Sequence, residues 1–204
     1  MLISLSKIIE QYNMKIRGII HVGAHYGEEY DDYVSSGINK VVFIEACIGA
    51  YKVLREKFIT NPNVLLFNCA AGEKNCTSEV YTETANQGQS NSLLQPAKHL
   101  EQYPSIQFTG KETVKVFKLD NFSFQRPDYN FINMDVQGYE LNVLKGATKT
   151  LAGIDYIYTE VNRAELYKNC AMVEQLDEFL QPFGFRRVET NWGGDTWGDA
   201  VYLK

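Results

Sequence analysis

The stretch that decides the fold is GIIHVGAHYGE, residues 18–28. Its apolar run predicts a short buried strand, and the two glycines that follow, Gly23 and Gly27, lie where this strand would turn into a helix. Glycine at the first position lets backbone approach a ligand closely, and glycine at the second lets the helix start tight against it. A G-x-x-x-G pair also suits a purely structural tight turn, so both interpretations stay open at this point.

Strands and helices alternate on both sides of this turn. Upstream, helical spacing over 3–12 predicts a helix in an N-terminal segment of residues 1–17. Downstream, the patterns predict a helix over 28–36, a strand over 40–45, a helix over 50–58 and a strand over 63–67. Such alternation implies right-handed crossovers and a parallel sheet covered by helices on both faces. Ligands of such sheets bind beyond the carboxyl ends of the strands.

The second half of the chain resumes this alternation and ends in a hairpin. The predicted elements are strands over 129–134 and 156–159, helices over 139–151 and 173–180, edge strands over 79–82 and 113–119, and final strands over 185–189 and 199–203. A terminal antiparallel hairpin suits a methyltransferase sheet better than the repeated parallel half of a dinucleotide dehydrogenase. We therefore expect an α/β fold: a Rossmann-like doubly wound sheet of the class I methyltransferase type, mostly parallel, with a C-terminal antiparallel hairpin.

One long polar segment, residues 83–112, interrupts the alternation. It is rich in Asn, Gln, Ser and Gly, contains Pro96 and Pro104, and shows helical spacing only over 97–102. A segment of this length inside a compact domain is usually a functional lid or a mobile insertion. The lid over an acceptor is the favoured interpretation, and the mobile loop is the alternative.

Composition narrows the class of protein. The chain has 204 residues, of which 45% are hydrophobic, so we expect a single domain over 1–204. Its 20 Lys and Arg against 25 Asp and Glu, with no basic run, argue against nucleic acid as a partner. Charged residues interrupt the first twenty positions, so neither a signal peptide nor a membrane span is predicted, and a cytoplasmic protein is expected. The four cysteines are too widely spaced for a zinc site or a disulfide framework.

An acidic residue follows at the place where a ribose would bind. Glu45 ends the second predicted strand, 22 residues after Gly23, where a carboxylate can accept hydrogen bonds from both ribose hydroxyls of a nucleoside. A solvated acid at a strand end is the alternative. The dinucleotide fingerprint G-x-G-x-x-G and the phosphate loop G-x-x-x-x-G-K-[ST] are both absent. A ribose acid without phosphate-binding chemistry points to a nucleoside without pyrophosphate, of which S-adenosylmethionine is the common one.

An ordered series of motifs resembles the FkbM family of methyltransferases over about residues 18–161. The most specific is NMDVQGYELNVLKGA at 133–147. The supporting pieces are the turn at 21–28, FIEA at 43–46, CAAG at 69–72, SNSL at 90–93 and VFKLD at 116–120. The resemblance implies a Rossmann-like sheet, S-adenosylmethionine as cofactor and O-methylation of hydroxyl acceptors, often in natural-product or glycan pathways. The cofactor-binding residues predicted from the turn, the acid and these motifs are Gly23, Ala24, His25, Gly27, Glu45, Ala46, Ala70, Ala71, Ser92 and Asp135.

Two positions depart from the family's pattern. The first motif of the family usually carries an acidic residue where this chain has His21, which bears on how the methionine end of the cofactor is held. The fourth-strand motif often reads D-x-E-G where this chain has Gln137, which removes one charge near the site.

Two carboxylates are the leading candidates for the chemistry. Asp135 and Glu160 lie at the carboxyl ends of neighbouring predicted strands, where a base could take the proton of an unactivated hydroxyl, and His25 is the third candidate. Helix capping by Asp135 is the non-catalytic alternative. Together with Asn162, the two carboxylates could instead hold Mg²⁺, although a metal-free mechanism is favoured.

The remaining aromatic and imidazole groups have structural interpretations. His21 is predicted to be a core histidine and His99 a solvated one. Trp192 and Trp197 belong to the core or line a sugar-stacking surface.

The sequence predicts an O-methyltransferase acting on a small molecule or glycan, with a homodimer possible. A nicotinamide-dependent oxidoreductase is disfavoured by the missing third glycine and by the terminal hairpin. A non-catalytic nucleoside-binding module would have no need for Asp135 and Glu160 together.

Overall fold

The computed structural model describes residues 1–204 and contains a seven-stranded sheet of order β3-β2-β1-β7-β8-β10-β9. Its strands are β1 Ile19–Val22, β2 Val41–Glu45, β3 Val64–Asn68, β7 Phe131–Met134, β8 Tyr156–Asn162, β9 Arg186–Trp192 and β10 Trp197–Leu203. The first five in space are parallel, and β10 runs antiparallel to both β8 and β9. The predicted fold class, with its C-terminal hairpin, is confirmed.

The helices cover both faces of this sheet. They are α1 Leu5–Gln11, α2 Tyr30–Ser35, α3 Ile48–Phe58, α4 His99–Gln102, α5 Glu140–Lys145 and α6 Val173–Leu180. One core packs α5 and α6 against side chains such as Ile20 and Val22 of β1, and the other packs α1, α2 and α3 against Ile19. Because side chains alternate along a strand, β1 supplies both cores and is buried on both faces. No helix combines the length and apolar composition needed to cross a membrane.

The predicted edge strands do not belong to this sheet. β4 Ala70–Ala71, β5 Cys76–Thr82 and β6 Gly110–Phe117 form a separate three-stranded sheet of order β4-β6-β5. β5 and β6 pair with each other over their whole length, and their apolar side chains bury a small core of their own. The last residues of the predicted insertion, 110–112, are therefore strand. Periodicity identified the two strands but could not show which partner each would choose.

Two predicted helices are shorter in the structure than their patterns suggested. α1 ends before Asn13, whose positive φ of 49° takes the chain out of the helix, so the rest of the N-terminal segment is not helical. α5 ends at Gly146, where a Cβ would lie 2.0 Å from the carbonyl oxygen of Gly72. Beyond it, the Asp120 carboxylate accepts hydrogen bonds from the backbone N–H groups of Lys149 and Thr150 and turns the chain into a 3₁₀ helix.

Candidate active site

The carboxyl ends of β1, β2, β7 and β8 meet at one edge of the large sheet, and their loops form the candidate site. Gly23, after β1, has a φ of +82°, and a Cβ there would lie 1.8 Å from the carbonyl oxygen of Asp135, after β7. The glycine is therefore needed because two loops touch through their backbones. Gly27 has a φ of +69°, but a Cβ there would meet Leu54 and Phe58 of α3, and Gly27 lies outside both cavities described next.

Two adjoining cavities open at this edge. The first cavity, of about 650 Å³, contains most of the predicted cofactor residues. These are Gly23, His25, Glu45, Ala46, Ala70, Ala71, Ser92 and Asp135. The second cavity, of about 500 Å³, is lined by Ala24 and Glu160 and shares Gly23, His25 and Asp135 with the first. Asp135 therefore lies at the junction of the two.

Glu45 is a buried acid that holds two loops at the wall of the first cavity. Its Oε2 accepts a hydrogen bond of 2.8 Å from the backbone N–H of His25, and its Oε1 accepts one of 2.8 Å from that of Cys47. Burial raises the pKa of Glu45, whereas these two donors lower it. A carboxylate oxygen has two lone pairs, so each oxygen can still accept one hydrogen bond from a ligand hydroxyl.

His25 connects the glycine turn to the polar insertion. Its Nδ1 lies 2.6 Å from a carboxylate oxygen of Glu28, and its Nε2 lies 3.0 Å from the carbonyl oxygen of Gln87. Its backbone φ of 45° is unusual for a residue with a side chain. Both ring nitrogens already lie against protein oxygens, so neither is free to face a substrate.

Gln137 joins the two candidate catalytic carboxylates. Its side-chain Nε2 donates to Asp135 Oδ1 at 2.7 Å and to Glu160 Oε2 at 3.0 Å. Its Oε1 lies 2.7 Å from the hydroxyl of Tyr167. The backbone φ of 53° at Gln137 is again left-handed, and it directs this amide between the acids. A glutamate at this position would place a third carboxylate among them.

The two acids have different environments. Glu160 is buried, and burial raises its pKa well above the usual range, with Asp135 adding to the effect. Burial also raises the pKa of Asp135 to about 6, which the hydrogen bond from Gln137 opposes. Although protein surrounds Asp135, its side chain is exposed to water in the open cavities. Two neighbouring carboxylates rarely ionise together, so Asp135 is the one that ionises and Glu160 the one that keeps a proton.

The structure answers two alternatives for these residues. The Asp135 side chain is hydrogen-bonded to Gln137 and makes no hydrogen bond to the first turn of α5, so it does not cap this helix. The N–H groups of Val136 and Gly138, just before the helix, donate to the Glu140 carboxylate instead. Asn162 is fully buried, lines neither cavity and has no hydrogen-bond partner, so it does not join the two carboxylates. No three His, Cys, Asp or Glu side chains converge in a way that could hold a metal ion.

His21 is held by polar neighbours inside the core. Its Nδ1 lies 3.1 Å from the hydroxyl of Tyr33, to which Asn133 Nδ2 donates at 2.6 Å. Burial lowers the pKa of the imidazole, so it is neutral. The side chain also lines the second cavity, beside the β1 end.

The insertion forms part of the walls of both cavities. The Ser92 hydroxyl donates to the backbone carbonyl of Gln137 at 2.7 Å, and the Tyr167 hydroxyl lies 2.9 Å from the carbonyl of Ser90. The Glu83 carboxylate accepts from the N–H groups of Asn86 and Gly88 and holds the segment in one shape. These bonds attach residues 83–92 directly to the loop that carries Asp135.

Sequence reasoning missed several residues of the second cavity. His99, predicted to be solvated, is 3% exposed and packs against Tyr103, Phe108 and Tyr167, and its Nδ1 has no hydrogen-bond partner. Its apolar neighbours Leu94 and Ala97 in the sequence were the only signal of burial. Of the two tryptophans, Trp197 lines this cavity, whereas Trp192 lies against Arg163.

Asp199 was missed for a different reason. The antiparallel register places it opposite Glu160, and its carboxylate accepts hydrogen bonds from the Tyr158 hydroxyl and the Leu2 backbone. An acid inside the otherwise apolar run of β10 was the available signal.

The chain is similar to known methyltransferases. The family described as the methyltransferase FkbM domain matches residues 21–187. The 2-O-methyltransferase NoeI of Sinorhizobium fredii is 33% identical over 96 residues, which are 46% of this chain and 40% of that protein. The match thus spans less than half of that relative.

Solved structures share the fold at low sequence identity. Sp1610 of Streptococcus pneumoniae, a candidate tRNA (m1A22) methyltransferase in complex with S-adenosyl-L-methionine, has a TM-score of 0.54 at 14% identity, covering 100% of this chain and 73% of its own. A candidate S-adenosylmethionine-dependent methyltransferase from Listeria monocytogenes has a TM-score of 0.57 at 10% identity, covering 98% of each chain. At these identities the likeness is one of fold.

Proposed function

Because the chain belongs to the FkbM family of methyltransferases, we propose that it methylates a hydroxyl oxygen of a glycan or a small natural-product acceptor. The cofactor of this methyltransferase is S-adenosylmethionine. The observation that carries the proposal is the position of Asp135, an ionisable carboxylate at the junction of two cavities. One cavity accommodates the cofactor, and the other is free for an acceptor.

The residues of the first cavity suit a nucleoside without phosphates. Glu45 offers lone pairs at the end of β2, and Ala70 and Ala71 leave room beside it. Lys111 is the only lysine or arginine of this wall, and its ammonium group is 2.7 Å from Glu79. The glycine turn also lacks the G-x-G-x-x-G fingerprint that holds a dinucleotide's pyrophosphate at a helix N-terminus, which argues against the nicotinamide-dependent alternative.

Methyl transfer to an alcohol requires a base as well as alignment. Bound S-adenosylmethionine supplies an electrophilic methyl group on its sulfonium. As the oxygen–carbon bond forms and the carbon–sulfur bond breaks, Asp135 takes the hydroxyl proton. Glu160 stays protonated, and Gln137 holds the two carboxyl groups in place. His25 positions the glycine turn, since both of its ring nitrogens are occupied.

The insertion is part of the same proposal, as a lid over the acceptor. The support for this role is that Ser90 is hydrogen-bonded to Tyr167, and Ser92 to Gln137. Movement of the segment would therefore shift the residues that hold Asp135 and Glu160. Lids of this kind exclude water and complete the site.

The test is a methyl-transfer assay with isotopically labelled S-adenosylmethionine and a panel of glycosides and hydroxylated natural products. We expect a product whose methyl label survives mild base, as an ether does and an ester does not. Asp135→Asn should lower kcat by roughly two to four orders of magnitude, the usual worth of general-base help, while EDTA leaves the rate unchanged. Cofactor binding without transfer to any hydroxyl would instead support a nucleoside-binding module. If chelation abolishes the activity and Mg²⁺ restores it, Asp135 would be a metal ligand and not the base.

A further inference from the structure

The wall of the second cavity is strongly negative. Five carboxylate side chains line it, and no lysine or arginine does: Glu28, Glu29, Asp135, Glu160 and Asp199. With no lysine or arginine facing them, these acids give the wall a negative potential.

The imidazoles of this wall do not balance the charge. Burial lowers the pKa of both His21 and His99, which are therefore neutral. His25 contacts only one of these five carboxylates, that of Glu28, at 2.6 Å. The cavity is thus a place where an additional negative charge would be repelled.

Flat aromatic surfaces lie beside these acids. The indole Nε1 of Trp197 donates to the Tyr103 hydroxyl at 2.8 Å, which fixes both side chains in the wall. The ring centroids of Tyr103 and His99 are 5.0 Å apart. His99 is 3% exposed, and its unpartnered Nδ1 is a hydrogen-bonding group that no protein atom satisfies. Buried polar groups are normally hydrogen-bonded, so the unpartnered Nδ1 fits a wall that receives a polar group, either water or a ligand.

We propose that the second cavity selects an uncharged sugar ring as the methyl acceptor and rejects sugars that carry a carboxylate, phosphate or sulfate. This inference rests on the proposed function and names its substrate class. Carboxylates accept hydrogen bonds from sugar hydroxyls, and the aromatic groups pack against the apolar face of the ring. The repulsion of two like charges about 4 Å apart near a protein surface corresponds to about a thousandfold in affinity. Water retained in the cavity reduces this factor.

The experiment compares acceptors that differ only in charge. We assay methyl glucopyranoside, its glucuronate counterpart, the glucuronamide and the 6-phosphate with the full chain and S-adenosylmethionine, together with the matched galacto series. The neutral sugar that is the best acceptor should exceed its carboxylate or phosphate counterpart in kcat/KM by at least about a hundredfold. The uronamide, which has the shape of the uronate without its charge, should recover to within about tenfold.

The possible failures are distinguishable. A uronate or sugar phosphate methylated as well as its neutral counterpart would overturn the inference and leave the proposed function intact. If no sugar is methylated while calorimetry shows bound S-adenosylmethionine, sugars are not acceptors, and the inference falls together with the glycan part of the proposed function.

Discussion

Replacing Gln137 by glutamate tests how the two candidate catalytic carboxylates, Asp135 and Glu160, are held. In the native site, the Gln137 amide donates to Asp135 at 2.7 Å and to Glu160 at 3.0 Å. Gln137→Glu removes both donors and adds a carboxylate between them, whereas the contact with the Tyr167 hydroxyl can persist. Both changes disfavour the ionised form of Asp135, so its pKa should rise from about 6.

The size of the shift follows from the lost hydrogen bond. A hydrogen bond to a charged group is worth roughly 1.5–3 kcal/mol in a dry site, which corresponds to about one to two pKa units. Because Asp135 reaches water in the open cavities, screening reduces this to about one unit. A base must be deprotonated to act, so the acidic limb of the kcat profile should move upward by about one pH unit. At pH 6 this is a loss of about fivefold, and the rate should recover in alkaline solution.

The assay is kcat against pH from roughly 5 to 9 for the native enzyme and three variants. Gln125→Glu places the same new charge on the exposed surface and should leave the limb where it is. Gln137→Met removes the donors without adding charge and should move the limb in the same direction by less. An acidic limb that stays in place in Gln137→Glu, or moves to lower pH, would refute the assignment of Asp135 as the base.

Three further predictions address the cofactor, the glycine turn and the buried acids. Glu45→Gln should weaken S-adenosylmethionine binding by roughly tenfold to a hundredfold in calorimetry, because charge-assisted hydrogen bonds are lost. A variant that binds the cofactor with native affinity would show that Glu45 does not bind the ribose. Gly23→Ala should destabilise the protein in denaturant unfolding by several kcal/mol more than Gly37→Ala, for which about 1–2 kcal/mol is expected. Both glycines have φ near +80°, but only at Gly23 would an added Cβ clash with the backbone of Asp135. Burial raises the pKa of Glu140 to about 7, so the folded chain holds a proton that the unfolded chain releases. The free energy of unfolding should therefore fall as pH rises from about 4.5 to 7. Glu140→Gln should flatten this pH dependence, and an unchanged slope in the variant would contradict the prediction.

Local pattern was enough to predict most of the large sheet. Strands buried on both faces are largely apolar runs, as at 18–22 and 129–134. Such runs can be recognised without knowledge of the strands with which they pair. The hairpin at the end of the chain was predicted from two short strand patterns, over 185–189 and 199–203. The family and the cofactor followed from short motifs, each of which is a continuous stretch of the chain.

Boundaries and pairings were predicted less well, because they depend on contacts between distant segments. Nothing in the sequence near Gly146, where α5 ends, indicates that its neighbour in the fold is the backbone of Gly72. The pairing of β5 with β6 joins strands separated by the whole insertion. Loop closure of this kind leaves no local periodicity to detect.

The sequence by itself determined the fold class, the family, the cofactor and the positions of Gly23, Glu45 and Asp135 at strand ends, because each of these depends on residues adjacent along the chain. Only the tertiary structure decided how the acids behave. Gln137 joins Asp135 to Glu160, and the antiparallel register brings Asp199 opposite Glu160. The protonation of a carboxylate depends on its burial and on charges within a few ångströms, and those neighbours come from segments far apart in the chain.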